Sequence, residues 1–347
     1  MTSTMAREIA EQPDAARRTL EALLPLRRRL AALAGDRRHV LLVARGSSDN
    51  AAVYARYLIE TQCGLSASLA APSVATHYAG RRDLSDTLVV SISQSGETEE
   101  IVATQAWAIA RGGASVAVTN VGDSRLASDA DLALVTRAGP ELAVPATKSY
   151  LTQLVAMAVI ASALAPTGGG LDAELARVPD EIEGQLGRTD PAAALDLLEQ
   201  AGDLLVTGRG IALGTALEVA LKFEETCLRP VRGLSYADLR HGPIAIVDPD
   251  VVAVLVAAGD GPLLGAMTVL AREMRERGAS VLGVGGDAEF AGVCDVTLPG
   301  PRLPEPVAPL GLIVPAQLTI EALARRLGLD PDAPRGLSKV TRTDARS

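Results

Sequence analysis

The chain has 347 residues, 48% hydrophobic and 22% charged, which is long and apolar enough for two domains that each bury a core and excludes a disordered polypeptide. Its 32 glycines and 20 prolines follow no period, which excludes a collagen-like repeat. A net charge of −9 repels a nucleic-acid backbone, so Arg27, Arg28, Arg29, Arg37 and Arg38 read as a solvated helix face and no nucleic-acid partner is expected.

The opening MTSTMAREIAEQPDAARRTL is polar and helical and lacks the apolar core of a secretory signal, giving a helical segment over 1–35. Apolar runs that end in small-residue loops and lead into helical periods then recur, the pattern of an α/β fold with parallel sheets. In the first half, strands are predicted at 39–44, 87–92, 114–118 and 132–135, and helices over about 50–60, 99–111 and 148–165. The apolar stretch 155–165 falls well short of the roughly 20 residues that cross a bilayer, so it reads as a buried core or interface helix and no membrane association is expected.

APTGGGLDAELARVPDEIEGQLGRTDP reads as a linker carrying a short helix, with the boundary near residue 170. The second half predicts strands at 204–207, 251–257, 280–284 and 293–298, and helices over about 213–227, 264–277 and 310–327. VLLVARGSSDNAAVYAR from Val40 and LLVTGRGIALGTALEVA from Leu204 suggest one unit used twice, with diverged loops. The predicted domains are 36–168 and 199–330, joined by 169–198 and followed by a tail over 331–347.

Cys63, Cys227 and Cys294 are too few and too widely spaced for a disulfide framework or a zinc knuckle, and a reducing cytoplasm fits them. No His/Asp/Glu cluster has ligand spacing, so neither metal nor cofactor is expected.

Two loops carry anion-binding chemistry. In ARGSSDN, Gly46 lets the backbone bend closely between a strand and a helix, and Ser47 and Ser48 offer hydroxyls; a plain helix cap is the alternative. In SISQSGETEE, Ser93, Gln94, Ser95 and Thr98 surround Gly96 at a helix N-terminus. The loop has neither the lysine of a Walker loop nor the spacing of a dinucleotide fingerprint, so a small monophosphate suits it better than ATP or NAD. In LEVALKFEET, Glu218, Lys222 and Glu225 are spaced to share one helix face, which alone reads as a surface ion-pair ladder. His39 and His77 receive no role, and Lys339 alone reads as a solvated tail residue.

Together SQSGET, the GSS loop, VPATKSY and LRHGP resemble the sugar isomerase (SIS) domain family. The likeness to the isomerase half of glucosamine-6-phosphate synthase, and to stand-alone glucosamine-6-phosphate deaminases of that pattern, runs from MAREIAEQP to PRGLSKVT. The resemblance implies two tandem SIS domains of flavodoxin-like or Rossmann-like type, and a phosphosugar bound by Gly46, Ser47, Ser48, Ser93, Gln94, Ser95 and Thr98 and by the backbone near Val144 and Ala146. Pro145 and Ala146 depart from the family pattern, where a small residue and a serine are frequent, so contacts to the sugar hydroxyls differ there.

By the same resemblance Glu225 is the proton-shuttling carboxylate, which a partly buried site favours. Lys222 stabilises charge beside it, His241 opens the sugar ring across a homodimer interface, and Lys339 is the amine for a Schiff base with an open-chain ketose. The synthase carries a glutaminase domain ahead of this region, whereas MAREIAEQP here comes almost at once, so deamination of glucosamine 6-phosphate to fructose 6-phosphate and ammonia is the expected direction. A deglycase or isomerase acting on another sugar phosphate, and a non-catalytic phosphosugar-binding regulator, are the alternatives.

Overall fold

The computed structural model describes residues 2–78, 80–166 and 171–339. The chain forms two compact units, neither continuous in sequence. One comprises Asp14–Glu141, Lys148–Ala176 and the stretch from Ser338, and the other the residues up to Pro13, Leu142–Thr147 and Arg177–Leu337.

In the first unit, β1 (His39–Val43), β2 (Ser66–Leu69), β3 (Thr87–Ile92), β4 (Ala114–Thr119) and β5 (Leu132–Val135) form a parallel sheet in the order β2-β1-β3-β4-β5. Every residue of β3 and β4 is buried, so their sequences are apolar without alternation, as expected of a sheet covered on both faces. Leu41, Val43, Val89 and Ala117 from the sheet pack with Ile101, Val102 and Leu126 into one core. The helices Ser47–Cys63 and Lys148–Leu164 pack on each other, and every residue of the latter from Lys148 to Ser162 is buried. That accounts for the apolar stretch 155–165, and among the described residues no helix is long and apolar enough to cross a membrane.

In the second unit, β6 (Asp203–Gly208), β7 (Val231–Ser235), β8 (Val251–Ala257), β9 (Ser280–Gly285) and β10 (Val296–Leu298) form a parallel sheet in the order β10-β9-β8-β6-β7. Read from its other edge this is the strand order of the first sheet, so the repeat suggested by the sequence corresponds to a repeated topology.

Both strands absent from the sequence reading are edge strands: SASL and VRGLS are short, polar and only half-buried, and hydrophobic pattern does not detect them. The predicted linker folds as a helix of 17 residues, Asp172–Arg188, which accommodates Pro179 in its interior, and as a second helix, Ala192–Glu199. Arg27 is not a solvated cation, because its guanidinium pairs with Asp172 and reaches Ser162 Oγ at 3.3 Å. Arg28, Arg29 and Arg38 are exposed as read.

Candidate active site

The order of the first sheet reverses between β1 and β3, and a crevice outside the carboxyl ends of two such strands is where open α/β sheets bind ligands. Both candidate anion loops lie there. Gly46 follows β1 at φ +57° and precedes the helix Ser47–Cys63, which has no side-chain cap. A Cβ on Gly46 would meet nothing within 4 Å, so the bend opens onto free space. The loop after β3 ends at Thr98, the N-cap of the helix Glu99–Ile109, yet the Thr98 hydroxyl does not cap that helix. It lies 3.1 Å from Ser93 Oγ, which in turn accepts the Gly96 N–H at 3.2 Å.

Gln94 is fixed through its backbone, whose carbonyl accepts from Asn120 N at 3.0 Å and Thr119 Oγ1 at 3.2 Å. Gly96 is forced: its φ is +67°, and a Cβ there would stand 2.1 Å from Ser124 Oγ. The two loops are joined by Arg45, which forks onto both carboxylate oxygens of Glu100 at 3.0 Å each. Two helix N-termini without side-chain caps, lined by hydroxyls and braced by one arginine, present the chemistry that can receive a small anion.

In the same unit Lys339 donates to Glu141 Oε2 at 2.9 Å, and the Glu141 side chain is fully buried. Ser149 donates to Glu141 from its backbone N–H at 3.0 Å and from its hydroxyl at 2.5 Å. Burial pushes the Glu141 carboxyl up, but the Lys339 ammonium and the Ser149 hydrogen bonds outweigh it and hold the group below the usual carboxylate range. Glu141 is absent from the sequence-derived set. A compositional signal points to it indirectly: the chain has thirty arginines and three lysines, Lys148, Lys222 and Lys339. Two of them are buried and the third reaches Glu141, so lysine is kept where an arginine fork would not serve.

In the second unit, the helix Leu213–Cys227 places Glu218, Lys222 and Glu225 on one face. The ladder is not on the surface, since the Glu218 and Lys222 side chains have no exposure. Lys222 Nζ stands 3.4 Å from Glu218 Oε1 and bonds Glu225, whose side chain keeps 24% of its exposure. Burial works against the Lys222 charge, yet Glu218 and then Glu225 hold the ammonium above its ordinary lysine value. His241 caps the short helix Tyr236–Arg240 at its C-terminal end and is exposed.

The loop carrying Val144 and Ala146 is held in this unit by groups from three places. Buried Glu8 accepts from Leu142 N at 2.5 Å and Ala143 N at 3.3 Å, the Asp332 carbonyl accepts from Val144 N at 2.8 Å, and Gln317 reaches the Thr147 carbonyl at 3.5 Å. The loop after β6, which corresponds to the Gly46 loop, is filled: a Cβ on Gly210 would stand 2.3 Å from Leu263 Cδ1, and Arg209 stacks on Tyr236 at 4.2 Å. At the corresponding bend of the first unit, a Cβ on Gly46 would meet nothing. His39 and His77 are exposed, His39 at the start of β1 and His77 at the end of the helix Pro72–Thr76. Among the described residues no His/Cys/Asp/Glu group could hold a metal ion.

These features define an α/β protein with two hydroxyl-lined loops at the switch point of one of two matching parallel sheets. A family model for the SIS domain matches residues 34–163. The chain is 34% identical, over 96% of its length, to a glutamine–fructose-6-phosphate aminotransferase (isomerizing) of Thermococcus kodakarensis, and spans 57% of that protein. Among solved structures, a protein of Silicibacter pomeroyi assigned as a phosphosugar isomerase is 34% identical with a TM-score of 0.87, the match covering 95% of this chain and all of that one. The C-terminal domain of the glucosamine-fructose-6-phosphate aminotransferase of Francisella tularensis is 27% identical with a TM-score of 0.86, covering 96% and 99% of the two chains. The chain belongs to the SIS domain family.

Proposed function

We propose that this chain isomerises a hexosamine 6-phosphate, converting glucosamine 6-phosphate to fructose 6-phosphate with release of ammonia. The observation that carries the reading is the cradle after β1 and β3, where uncapped helix N-termini and the hydroxyls of Ser47, Ser48, Ser93, Ser95 and Thr98 suit a phosphate monoester. Similarity to the isomerase half of aminotransferases acting on fructose 6-phosphate supports the sugar class.

In this reading His241 moves a proton from the anomeric hydroxyl to the ring oxygen, which opens the sugar to its aldehyde. The chain works as a homodimer, and the exposure of His241 suits its service to a partner subunit's substrate. Glu225 then removes the proton from C2 and returns one to C1, while Lys222 offsets the charge that develops on O1. The product is an imine at C2. Lys339 passes a proton to the imine nitrogen, its freed amine adds to that carbon, ammonia leaves carrying the proton, and water hydrolyses the resulting Schiff base to fructose 6-phosphate, freeing the lysine. Glu141 stabilises positive charge on the Lys339 nitrogen, as ammonium before addition and as iminium after it.

Incubation with glucosamine 6-phosphate, assayed for ammonia and fructose 6-phosphate together, tests the reading. Turnover of unsubstituted hexose 6-phosphates alone would leave an isomerase without deaminase activity. Absence of turnover with every hexose and hexosamine phosphate rejects both.

A further inference from the structure

Three arginines of the first unit line one surface cavity. The cavity holds about 670 Å³ and is lined by Arg81, Arg82, Asp83, Ala110 and Arg111. Among the described residues none of the three guanidiniums forms an ion pair. The one carboxylate of the lining, Asp83, turns to its own loop, where it accepts the Ser85 N–H at 3.0 Å. A second surface cavity of the same volume, on the helix Leu264–Glu276, is neutralised instead: its Arg272 pairs with Glu289 at 2.8 Å and its Arg277 with Glu273 at 3.2 Å.

The arginine cavity is held by its surroundings. The Gly80 carbonyl accepts both the Trp107 indole N–H at 3.1 Å and Arg111 Nε at 3.0 Å. Arg111 also donates to the Trp107 carbonyl at 3.3 Å and lies over the indole ring, 4.8 Å from its centre. Four residues after Gly80, the Leu84 N–H donates to the Arg111 carbonyl at 3.0 Å. The loop bearing Arg81 and Arg82 is thus pinned at both ends beside Arg111, just past the helix Glu99–Ile109. Like charges gathered in a concave site repel one another and raise the local concentration of anions.

The cavity is not part of the anion loops described above. Its residues come just before β3 and β4, at the amino ends of a parallel sheet, whereas those loops follow the carboxyl ends of β1 and β3. The six residues of β3 separate the two levels by about 20 Å.

We propose that this cavity is a second ligand site, which binds a compound bearing a diphosphate group, free or carried by a nucleotide. Guanidinium forks match phosphate oxygens two at a time, and a diphosphate offers such oxygens on two adjacent phosphorus atoms. Its several negative charges also suit a lining in which three cations outnumber one carboxylate. The proposal goes beyond the isomerase reading and stands without it.

The chain has one tryptophan, so the emission of Trp107 reports from the wall of this site. Titration with inorganic pyrophosphate should change that emission saturably, and potassium chloride at equal ionic strength should not. Calorimetry of the same titration registers binding that leaves the emission unchanged. Arg81→Ser/Arg82→Ser alters two exposed positions and should keep Tm within about 2 °C of wild type. It should bind pyrophosphate about tenfold or more weakly. Saturating hexose 6-phosphate should leave the wild-type titration in place. Adenosine diphosphate that binds more tightly than pyrophosphate upholds the site and assigns it to nucleotides, and equal or weaker binding upholds it for inorganic diphosphate.

Equal pyrophosphate affinity in wild type and the double variant would overturn the proposal, as would a titration that hexose 6-phosphate abolishes. In either case the pyrophosphate would sit elsewhere. No binding by emission or calorimetry, or a change that only follows ionic strength in both proteins, would overturn it as well.

Discussion

Lys339 donates a 2.9 Å hydrogen bond to a carboxylate with no solvent exposure, Glu141, to which Ser149 donates two more. A lysine side chain that follows a long loop would otherwise sample many rotamers, and this contact fixes its nitrogen against one carboxylate oxygen.

If Lys339 forms a Schiff base with an open-chain ketose phosphate, borohydride added during turnover should trap a covalent adduct on that lysine, readable as a mass increase of one peptide. Lys339→Arg should abolish the adduct, since a guanidinium does not form it. Glu141→Gln should retain the fold and lose about 100-fold in kcat, because the neutral amide does not offset the iminium charge. An adduct on any other residue would reassign the nucleophile.

The depressed Glu141 carboxyl has a consequence for stability. A carboxyl held below its ordinary value of 4.5 favours the folded state while ionised, so its contribution is complete above about pH 4.5 and is lost as the pH falls through the lower, folded-state value. Glu141→Gln should therefore reduce stability near pH 7 and flatten the fall in Tm on the acid side of pH 4.5. Urea midpoints measured from pH 3 to 7 in both proteins provide the check. Parallel acid limbs would show that Glu141 titrates alike in the folded and unfolded chain.

Much of this molecule is legible in its sequence because its signals are local. The apolar runs that became β1, β3, β4 and β8 are buried on both faces and carry their own pattern. The SQSGET loop announces a hydroxyl-lined turn at a helix N-terminus by composition alone. What escaped depends on residues distant in sequence. Glu141 acquires meaning only when Lys339, 198 positions later, arrives beside it. Glu8 reads as one more acidic residue on a polar helix until the loop beginning at Leu142 donates to it across 134 positions. The edge strands SASL and VRGLS lack an apolar run because an edge needs none. The helical ladder was visible as spacing, whereas its burial is a tertiary property that spacing does not encode.

Gly46 and Gly96 separate two costs that a left-handed bend imposes. Alanine at position 46 meets open space and should lose only the backbone strain, about 1–2 kcal/mol. Alanine at position 96 adds a collision 2.1 Å from Ser124 Oγ and 2.9 Å from Thr119 Oγ1, and overpacking of that kind costs about 1–3 kcal/mol more. Ser124 caps the helix Arg125–Ser128 and cannot yield without losing that cap. Thermal melts should rank the variants wild type, Gly46→Ala, Gly96→Ala in falling Tm. Equal losses would mean that Ser124 and Thr119 give way freely.

The bridge between Arg45 and Glu100 should act on binding more than on stability. The Arg45 side chain is 42% exposed, and such pairs are worth only about 0–1 kcal/mol to the fold. Its orientation sets where the guanidinium of one anion loop stands relative to the other. Glu100→Gln should leave Tm within about 2 °C of wild type. It should raise KM for a sugar phosphate several-fold while kcat holds. A change in kcat at constant KM would place Arg45 in the chemical step instead.

The loop carrying Val144 and Ala146 supplies the last test, since by resemblance its backbone lines the sugar. Glu8, 3% exposed, accepts the N–H groups of both Leu142 and Ala143, and in that geometry the Leu142 side chain is left 75% exposed. An exposed leucine is tolerated because the loop is fixed by its backbone and not by its side chains. Glu8→Gln keeps one acceptor oxygen and turns an amide nitrogen toward an N–H donor, so one charged hydrogen bond is lost, about 1.5–3 kcal/mol. Loss of that fixation should weaken sugar-phosphate binding by about tenfold or more, with the phosphate cradle intact. Inorganic phosphate, which needs only the cradle, should therefore inhibit the variant as well as it inhibits wild type, while KM for the sugar phosphate rises. If both constants move together, Glu8 supports the whole unit and not this loop in particular.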